Sequence, residues 1–424
     1  MKHIHRIGAI AATAAIAGIS LAGCSGTTTA DPDAPVTLTF WGSYGNGGNS
    51  AQQEVLESTL IPAFEAEHPG ITVEYVDVPY DDLLQKLTTS AAGDELPDLV
   101  RADLGWVPRF AKLGVLVPLS EVMDDFDALA ERTYPGVLAT NLWDGAYYGL
   151  PLDTNTRVLI SNPDVLATAG VDGPPATFEE FVALGEALEG TGTTLYSDGG
   201  LGAWNIMPWI WSGGGDITDE ELTTASGVLD SEENVETVQM LVDLYQAGQI
   251  GNGIIGNEGA TSTSEGLPAG VYGTILDGPW MTGIWTDQFP EFAPIYSPVP
   301  AGPGGSVSVV GGEDIVLTAA SEHQDAALEF IRSTQSDEFQ LALVPTGQLT
   351  VIEELGAEQV ALVPALEVFT EQLGSARNRL AIPQGSEIDG ILSGALVPAF
   401  EGTVSVRDAL ADAAAQIDAL LQQQ

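Results

Sequence analysis

Apolar and polar positions recur along the chain with two different periods, which predicts strands followed by helices. From Val36, VTLTFW alternates as a half-buried strand does. Residues 51–66 instead repeat apolar side chains at intervals of three and four, the spacing of an amphipathic helix, and a Pro-Gly pair at 69–70 ends it. Residues 71–78 and 80–92 repeat the strand and the helix. This order predicts an α/β fold with parallel strand pairing.

The same patterns continue toward the end of the chain. Thr177 and Glu180 have the spacing of a capping box, which predicts that a helix begins there. Further helices are predicted at 231–246, 322–332 and 403–422, and further strands at 273–276 and 309–317. No internal repeat of fixed period is present. The length of 424 residues predicts two or three domains, at ~150 residues each.

The first residues have the composition of a targeting segment. A basic start precedes the small and apolar stretch 8–22, which is too short to cross a bilayer. It ends in LAGC, with the sole cysteine of the chain, Cys24, at the cleavage point. This resembles the lipobox of bacterial lipoproteins, and implies a signal peptide over 1–23, lipidation of Cys24 and a flexible tether over 24–35. The alternative is an ordinary secretory signal followed by a free thiol.

The charge balance narrows the classes of partner. The chain has 60 acidic and 12 basic residues, a formal net charge of −48. Such a surface repels phosphate backbones and anionic headgroups, so we expect no nucleic-acid partner and contact with the membrane only through the lipid. One cysteine also excludes an internal disulfide and a cysteine metal cluster.

Motifs for catalysis or metal binding are absent from the sequence. It has no G-x-S-x-G, H-E-x-x-H, phosphate-loop or EF-hand pattern. After the predicted signal peptide, His68 and His323 are the only histidines that a nucleophilic triad could use, and both are predicted at the surface. We therefore expect no enzyme, cofactor or metal. Paired carboxylates of a surface-anchored glycoside hydrolase remain an open alternative.

The tryptophans point to a different chemistry. Trp41, Trp106, Trp204 and Trp280 lie beside Gly, Pro, Asp or Asn at element ends. Ring faces cover the C–H face of a sugar while carboxylates and amides pair with its hydroxyls. For any single tryptophan, core packing is the alternative. Together they predict a site for a neutral polyol.

Six segments carry a resemblance to a known family. They are FEAEHPGITVEYVDVPYDDLLQKLTTSAAGDELPDLV at 64–100, AKLGVLVPLSE at 111–121, YYGLPLDTNTRVLISNPDVL at 147–166, ILDGPWMTGIW at 275–285, GGEDIVLTAASEHQDAALEFI at 311–331 and SVRDALADAAAQIDALL at 405–421. In this order the chain resembles the extracellular solute-binding proteins of carbohydrate ABC importers, the group that includes maltodextrin-binding proteins.

The resemblance implies a two-lobe, type II periplasmic-binding-protein-like α/β fold. Each lobe is a sheet flanked by helices, and an oligosaccharide in the cleft between them draws them together by hinge closure. The first lobe would span 36–150 with 304–350, and the second 151–303 with 351–424. The protein would be a monomer, held by lipid at the outer face of the cytoplasmic membrane, and would deliver sugar to permease subunits.

The resemblance also implies a set of ligand-contacting residues, spread over both lobes and the crossover between them. They are Ser43, Tyr44, Asp103, Trp106, Asp153, Asn155, Trp204, Trp280, Gly312, Glu313 and Asp314.

The sequence also limits which ligand such a site would take. Maltodextrin-binding proteins carry an aromatic residue shortly after the stretch that resembles Ile-Pro-Gln at 382–384, and here no ring follows it. The resemblance therefore implies a sugar other than a malto-oligosaccharide. Scarce basic residues argue against anionic ligands. Arg157 is either the base near the site or a structural ion-pair partner. A binder of a non-sugar solute such as a peptide is a further alternative.

Overall fold

The computed structural model describes residues 35–45, 50–93, 95–257 and 259–422. The predicted signal peptide, Cys24 and nearly all of the predicted tether lie outside the described residues. None of the described helices is both long and apolar enough to span a membrane.

Twelve strands are present in the described part of the chain. They are β1 (Val36–Gly42), β2 (Ile71–Asp77), β3 (Leu99–Asp103), β4 (Leu142–Trp143), β5 (Ala146–Tyr147), β6 (Gly149–Thr156), β7 (Val158–Ser161), β8 (Thr194–Ser197), β9 (Tyr272–Asp277), β10 (Ile295–Ser297), β11 (Ser308–Leu317) and β12 (Ala376–Asn378).

Most α-helices connect or flank these strands. In the described residues they are α1 (Ser50–Val55), α2 (Ile61–Glu67), α3 (Tyr80–Gly93), α4 (Val107–Lys112), α5 (Leu119–Val122), α6 (Phe126–Ala130), α7 (Pro135–Leu138), α8 (Pro163–Ala169), α9 (Phe178–Leu188), α10 (Ala203–Ser212), α11 (Glu232–Gln246), α12 (Thr263–Gly266), α13 (Trp280–Gln288), α14 (Gln324–Thr334), α15 (Asp337–Leu343), α16 (Gly356–Leu362), α17 (Glu367–Leu373), α18 (Gly385–Phe400) and α19 (Val406–Leu421). A π-helical turn, Leu56–Leu60, joins α1 to α2.

Two sheets organise the molecule. The larger has the order β12-β11-β3-β1-β2, with β6 also pairing to β11. Its β1–β2, β1–β3 and β11–β12 pairs are parallel, whereas β11 runs antiparallel to β3 and β6. The smaller has the order β10-β7-β9-β8, of which only β8–β9 is parallel. The predicted α/β class and the parallel pairing of the first two strands are confirmed.

Each sheet has its own apolar core. On the larger sheet, Phe40 of β1 packs edge-on against Phe330 of α14 with ring centroids 5.6 Å apart, and both are fully buried. On the smaller sheet, Trp209 of α10 contacts Phe181 of α9 at 4.9 Å and Tyr196 of β8 at 5.5 Å. A fully buried ring of this kind stabilises the fold by about 2–3 kcal/mol. The cores therefore fix the two sheets and the helices that reach the site.

Several predicted elements occur with small shifts that side-chain capping explains. The hydroxyl of Thr177 accepts the N–H of Glu180 at 3.2 Å and the Glu180 carboxylate accepts the N–H of Ala176 at 2.7 Å, so the capping box at the start of α9 is formed. The helix predicted from residue 403 is α19, and it begins only at Val406. Ser405 caps its start, because the Ser405 hydroxyl accepts the N–H of Asp408 at 3.1 Å.

The crossover between the sheets lies at the end of β6. β6 pairs with β11 in the larger sheet along its whole length except at Leu152, and β7 joins the smaller sheet two residues later. β12 also pairs with β11. The predicted lobe boundaries assign residues 151–156 and 376–378 to the second lobe, and those boundaries remain a prediction.

Candidate functional site

A cleft of about 830 Å³ lies between the strand ends of the larger sheet and helices packed on the smaller one. The larger sheet contributes the end of β3, the loop after β1 and the bend of β11. The smaller sheet contributes the first residues of α10 and α13, whose later turns pack in the apolar cores beside β7, β8 and β9. The start of α18 completes the rim.

Most of the residues predicted for ligand contact come together here. The structure places Ser43, Asp103, Trp106, Asn155, Trp204, Trp280, Gly312 and Glu313 in the lining of the cleft. Their direct contact with a ligand remains a prediction.

Three predicted contact residues do not line the cleft. The Tyr44 ring is fully buried and packs edge-on against Tyr75, with centroids 5.7 Å apart. Asp153 is buried beneath the floor in an ion pair, and Asp314 is buried beside Asn141. Alternation along the strand explains the last case, because Asp314 and its neighbour Glu313 cannot both face the same side.

Two tryptophan rings form one wall of the cleft. Trp204 and Trp280 lie with ring centroids 6.1 Å apart and planes inclined by 30°. Each ring lies against a glycine. A Cβ on Gly278 would lie 2.1 Å from the Trp280 ring, and one on Gly311 would lie 2.6 Å from the Trp204 ring. The two glycines therefore make room for both indoles, which remain half-buried at the cleft.

A second aromatic group lies on the side of the cleft that the larger sheet forms. Trp106 and Tyr80 have ring centroids 5.5 Å apart, and the Tyr80 hydroxyl donates to Asp103 at 2.7 Å. Trp106 is 7% exposed and belongs to an apolar cluster with Val107 and Phe110. It therefore exposes only a small part of its ring to the cleft.

Carboxylates from three neighbouring strands lie in a row at the floor of the cleft, with Asp103 and Glu313 in its lining and Asp153 buried beneath it. Glu313 of β11 pairs in register with Asp103 of β3 on one side and Asp153 of β6 on the other, and the register shifts just after it, between Glu313 and Asp314. Gly312, with a φ of +130°, lets the strand bend there, since a Cβ would lie 2.3 Å from the Asp153 carbonyl oxygen. We call Asp103, Glu313 and Asp153 the carboxylate row.

Two arginines neutralise most of this row. Arg101 Nη2 lies 3.1 Å from Asp153 Oδ2 and 2.8 Å from Glu313 Oε2. Arg379 Nη2 lies 2.9 Å from both oxygens of Asp103. Burial lowers the pKa of Arg101, but Asp153 and Glu313 outweigh it and leave that pKa above its ordinary value. Both arginines line the cleft with their charge already paired.

Burial also shifts the carboxyl groups of the cleft. It raises the pKa of Glu313 well above its usual range, against the opposing effect of Arg101. It raises the pKa of Asp277, at the end of β9, to about 6, with Arg157 acting in the opposite direction. Asp277 accepts from the N–H of Gly278 at 2.8 Å and from the Thr263 hydroxyl at 3.3 Å. These groups offer hydrogen bonds that suit hydroxyls.

Arg157 is a structural residue. It is 2% exposed, pairs with Asp198 at 2.8 Å and donates to the backbone carbonyls of Trp204 at 3.1 Å and of Leu276. It does not line the cleft, so the geometry supports the ion-pair alternative. His323 is exposed, whereas His68 is only partly exposed and stacks on Phe64 at 4.5 Å.

Sequence reasoning missed several cleft residues, among them Gln52, Tyr80, Arg101, Asp277, Gln348 and Arg379. One signal for Arg101 was present, because an arginine inside the apolar run LVRAD must be paired if the strand is buried. The segment after the Ile-Pro-Gln stretch does reach the cleft, through Ser386, Ile388 and Asp389, and brings no ring.

Comparisons with known proteins converge on one family. A family model described as bacterial extracellular solute-binding protein matches residues 42–341. An arabinooligosaccharide-binding protein of Halalkalibacterium halodurans is 26% identical over 319 residues, which cover 71% of this chain and 67% of that protein.

Two solved structures are similar over almost their whole length. The GacH receptor of Streptomyces glaucescens, described unliganded and in complex with acarbose, has a TM-score of 0.80 and 25% identity, covering 92% of this chain and 99% of that one. The cyclic α-maltosyl-1,6-maltose binding protein of Arthrobacter globiformis has a TM-score of 0.77 and 26% identity, covering 92% and 100%. Both support the two-lobe fold that the sequence predicted.

Proposed function

This chain belongs to the bacterial extracellular solute-binding protein family, and from that we propose that its cleft captures a neutral oligosaccharide for an ABC importer. Three of the similar proteins are named or solved with a sugar: an arabinooligosaccharide-binding protein, a receptor in complex with acarbose and a cyclic α-maltosyl-1,6-maltose binding protein. The family consists of binding proteins, and we propose that this member likewise binds its sugar without converting it.

The observation that carries the proposal is the pairing of an aromatic wall with a carboxylate floor in one cleft. Trp204 and Trp280 supply aromatic surface, while Glu313 and Asp277 supply hydrogen-bonding oxygens, and all four residues line the cleft. A sugar ring has this same division, with apolar C–H groups on its faces and hydroxyls around its edge. The arginines of the floor are held by internal carboxylates, which favours an uncharged ligand over an anionic one.

We further propose how the protein is placed and how it works. The protein would be a monomer, and lipid on Cys24 would hold it at the outer face of the cytoplasmic membrane, with residues 24–35 as the tether. The lobes, spanning 36–150 with 304–350 and 151–303 with 351–424, would close on the sugar by a hinge at the crossover after β6. The closed form would deliver sugar to the permease subunits.

A ligand screen tests the function. We expect thermal unfolding to shift upward with one or more of arabinotriose, maltotriose, acarbose and diacetylchitobiose, since a ligand at one hundred times its Kd adds about 2.7 kcal/mol of stability. Chromatography of the same mixtures after several hours should show intact sugar. Stabilisation by tripeptides alone would support the peptide alternative, and shortened sugars would support the hydrolase.

A further inference from the structure

Arg101 joins four groups at the cleft floor. Its Nε and Nη2 donate to Asp153 Oδ2 at 3.3 and 3.1 Å, and its Nη2 also donates to Glu313 Oε2 at 2.8 Å. Its Nη1 donates to the Ser43 hydroxyl at 3.2 Å. The guanidinium carbon lies 4.4 Å from the centroid of the Tyr44 ring. One side chain thus ties β3 to β6, β11 and the loop after β1.

Two of these partners line the cleft and two do not. Ser43 and Glu313 lie in its lining, whereas Asp153 and Tyr44 are buried behind it. The Arg101 side chain is 3% exposed. Because Asp153 and Tyr44 hold the guanidinium from behind, its hydrogen bonds to Ser43 and Glu313 have fixed directions.

We propose that Arg101 is a positioning residue of the sugar site, which orients Glu313 and Ser43 toward the ligand. The proposal rests on the proposed function. The ion pair uses Glu313 Oε2, and in this proposal Oε1 is the oxygen that accepts from a sugar hydroxyl. Without Arg101, Glu313 and Asp153 would be two neighbouring carboxyl groups in register, and would repel each other when both are ionised. Arg101 therefore keeps Glu313 in place against a repulsion that would otherwise displace it.

The argument requires the planar guanidinium fork rather than a positive charge alone. Arginine donates to several partners in fixed directions, whereas a lysine ammonium is one compact charge. In Arg101→Lys, the ammonium can keep the rear ion pair with Asp153 but cannot also hold Glu313 and Ser43 at their present places. The variant therefore separates positioning from charge neutralisation.

Isothermal titration of the wild type and folded variants tests this, with the sugar that binds the wild type most tightly among arabinotriose, maltotriose, acarbose and diacetylchitobiose. We expect Arg101→Lys and Glu313→Gln each to weaken binding tenfold or more. The double variant should lose much less than the product of the two single losses, because both changes remove the same oriented oxygen. Arg332→Lys serves as the control, because Arg332 pairs with Asp125 outside the cleft, and it should bind as the wild type does.

The outcomes separate the two proposals. If none of the four sugars binds the wild type, the proposed function fails and this inference with it. If the wild type binds and Arg101→Lys binds equally well, even with a lower melting temperature, Arg101 is structural only and the inference is wrong. Fully multiplicative losses in the double variant would also overturn it. Should Arg101→Lys not fold, wild-type affinity in both Ser43→Ala and Glu313→Gln would overturn it instead.

Discussion

Asp314 provides a direct test of the electrostatics behind the cleft. It is 1% exposed on β11, and its Oδ1 accepts from Asn141 Nδ2 at 2.7 Å. The Thr140 hydroxyl lies 3.5 Å from Oδ2 and also donates to the Val137 carbonyl at 2.7 Å. Burial raises the pKa of Asp314 to about 8, with Asn141 acting against the rise. The native protein therefore favours the neutral acid, which the side-chain amide of Asp314→Asn would imitate in shape and charge.

The sign of the pH effect follows from the two pKa values. The native pKa of about 8 exceeds the unfolded value of about 4, so folding binds a proton between them. The stabilising contribution is complete below pH 4 and is lost as the pH rises toward 8 and above. Between pH 5 and 7, this one proton changes the free energy of unfolding by about 1.3 kcal/mol per pH unit. Asp314→Asn removes that dependence.

The assay is urea unfolding of wild type and Asp314→Asn at pH 5, 6 and 7, with the free energy of unfolding extrapolated to water. We expect the variant to gain about 2.5 kcal/mol relative to the wild type between pH 5 and pH 7. Asp172→Asn, at an exposed carboxylate, serves as the control. A difference between Asp314→Asn and the wild type that stays constant over this range would refute the reasoning.

Three further expectations concern the site and its setting. Trp280→Ala should weaken sugar binding roughly thirtyfold in a titration, the equivalent of about 2 kcal/mol for a stacking anchor. The control is Trp143→Ala, which changes a half-buried tryptophan outside the cleft and should bind as the wild type does. Equal affinities of Trp280→Ala and the wild type would remove Trp280 from the site. Small-angle scattering should show a smaller radius of gyration with saturating sugar, and binding without compaction would contradict the hinge. Cys24→Ser should move the folded protein from the membrane to the soluble fraction of cells, unless the lipoprotein hypothesis is wrong.

Local elements could be predicted from the sequence because their causes are local. The period of apolar residues fixes which face of a helix or strand is buried, and Thr177 with Glu180 starts α9 within one turn. The pairing of β11 was not predictable in this way. Its antiparallel contacts with β3 and β6 join residues more than 150 positions apart, and no short pattern specifies them.

In the candidate site too, residues with a local sequence signal could be predicted, and residues placed by distant contacts could not. Trp204 and Trp280 were suggested by their polar and glycine neighbours, and the glycines that accommodate their rings are Gly311 and Gly278. Asp314 could have been set aside from the sequence, because adjacent residues on a strand point to opposite faces. The burial of Asp153 was not predictable, since it depends on Arg101 reaching across from β3.

The arginines explain why a count of basic residues is a poor guide to the ligand. Arg101 and Arg379 line the cleft, yet each is held by a carboxylate at 2.8 to 3.1 Å. Because all three guanidinium nitrogens of Arg101 already donate to Asp153, Glu313 or Ser43, an anionic sugar could use this charge only by displacing one of these partners. Uncovering one member of a buried pair costs about 3 kcal/mol or more. That is at least a hundredfold in affinity. A neutral sugar avoids this cost, because its hydroxyls donate to oxygens such as those of Asp277, which are already exposed to the cleft. Arg101 therefore acts on selectivity by being occupied, and the floor that it holds in place favours hydroxyl donors.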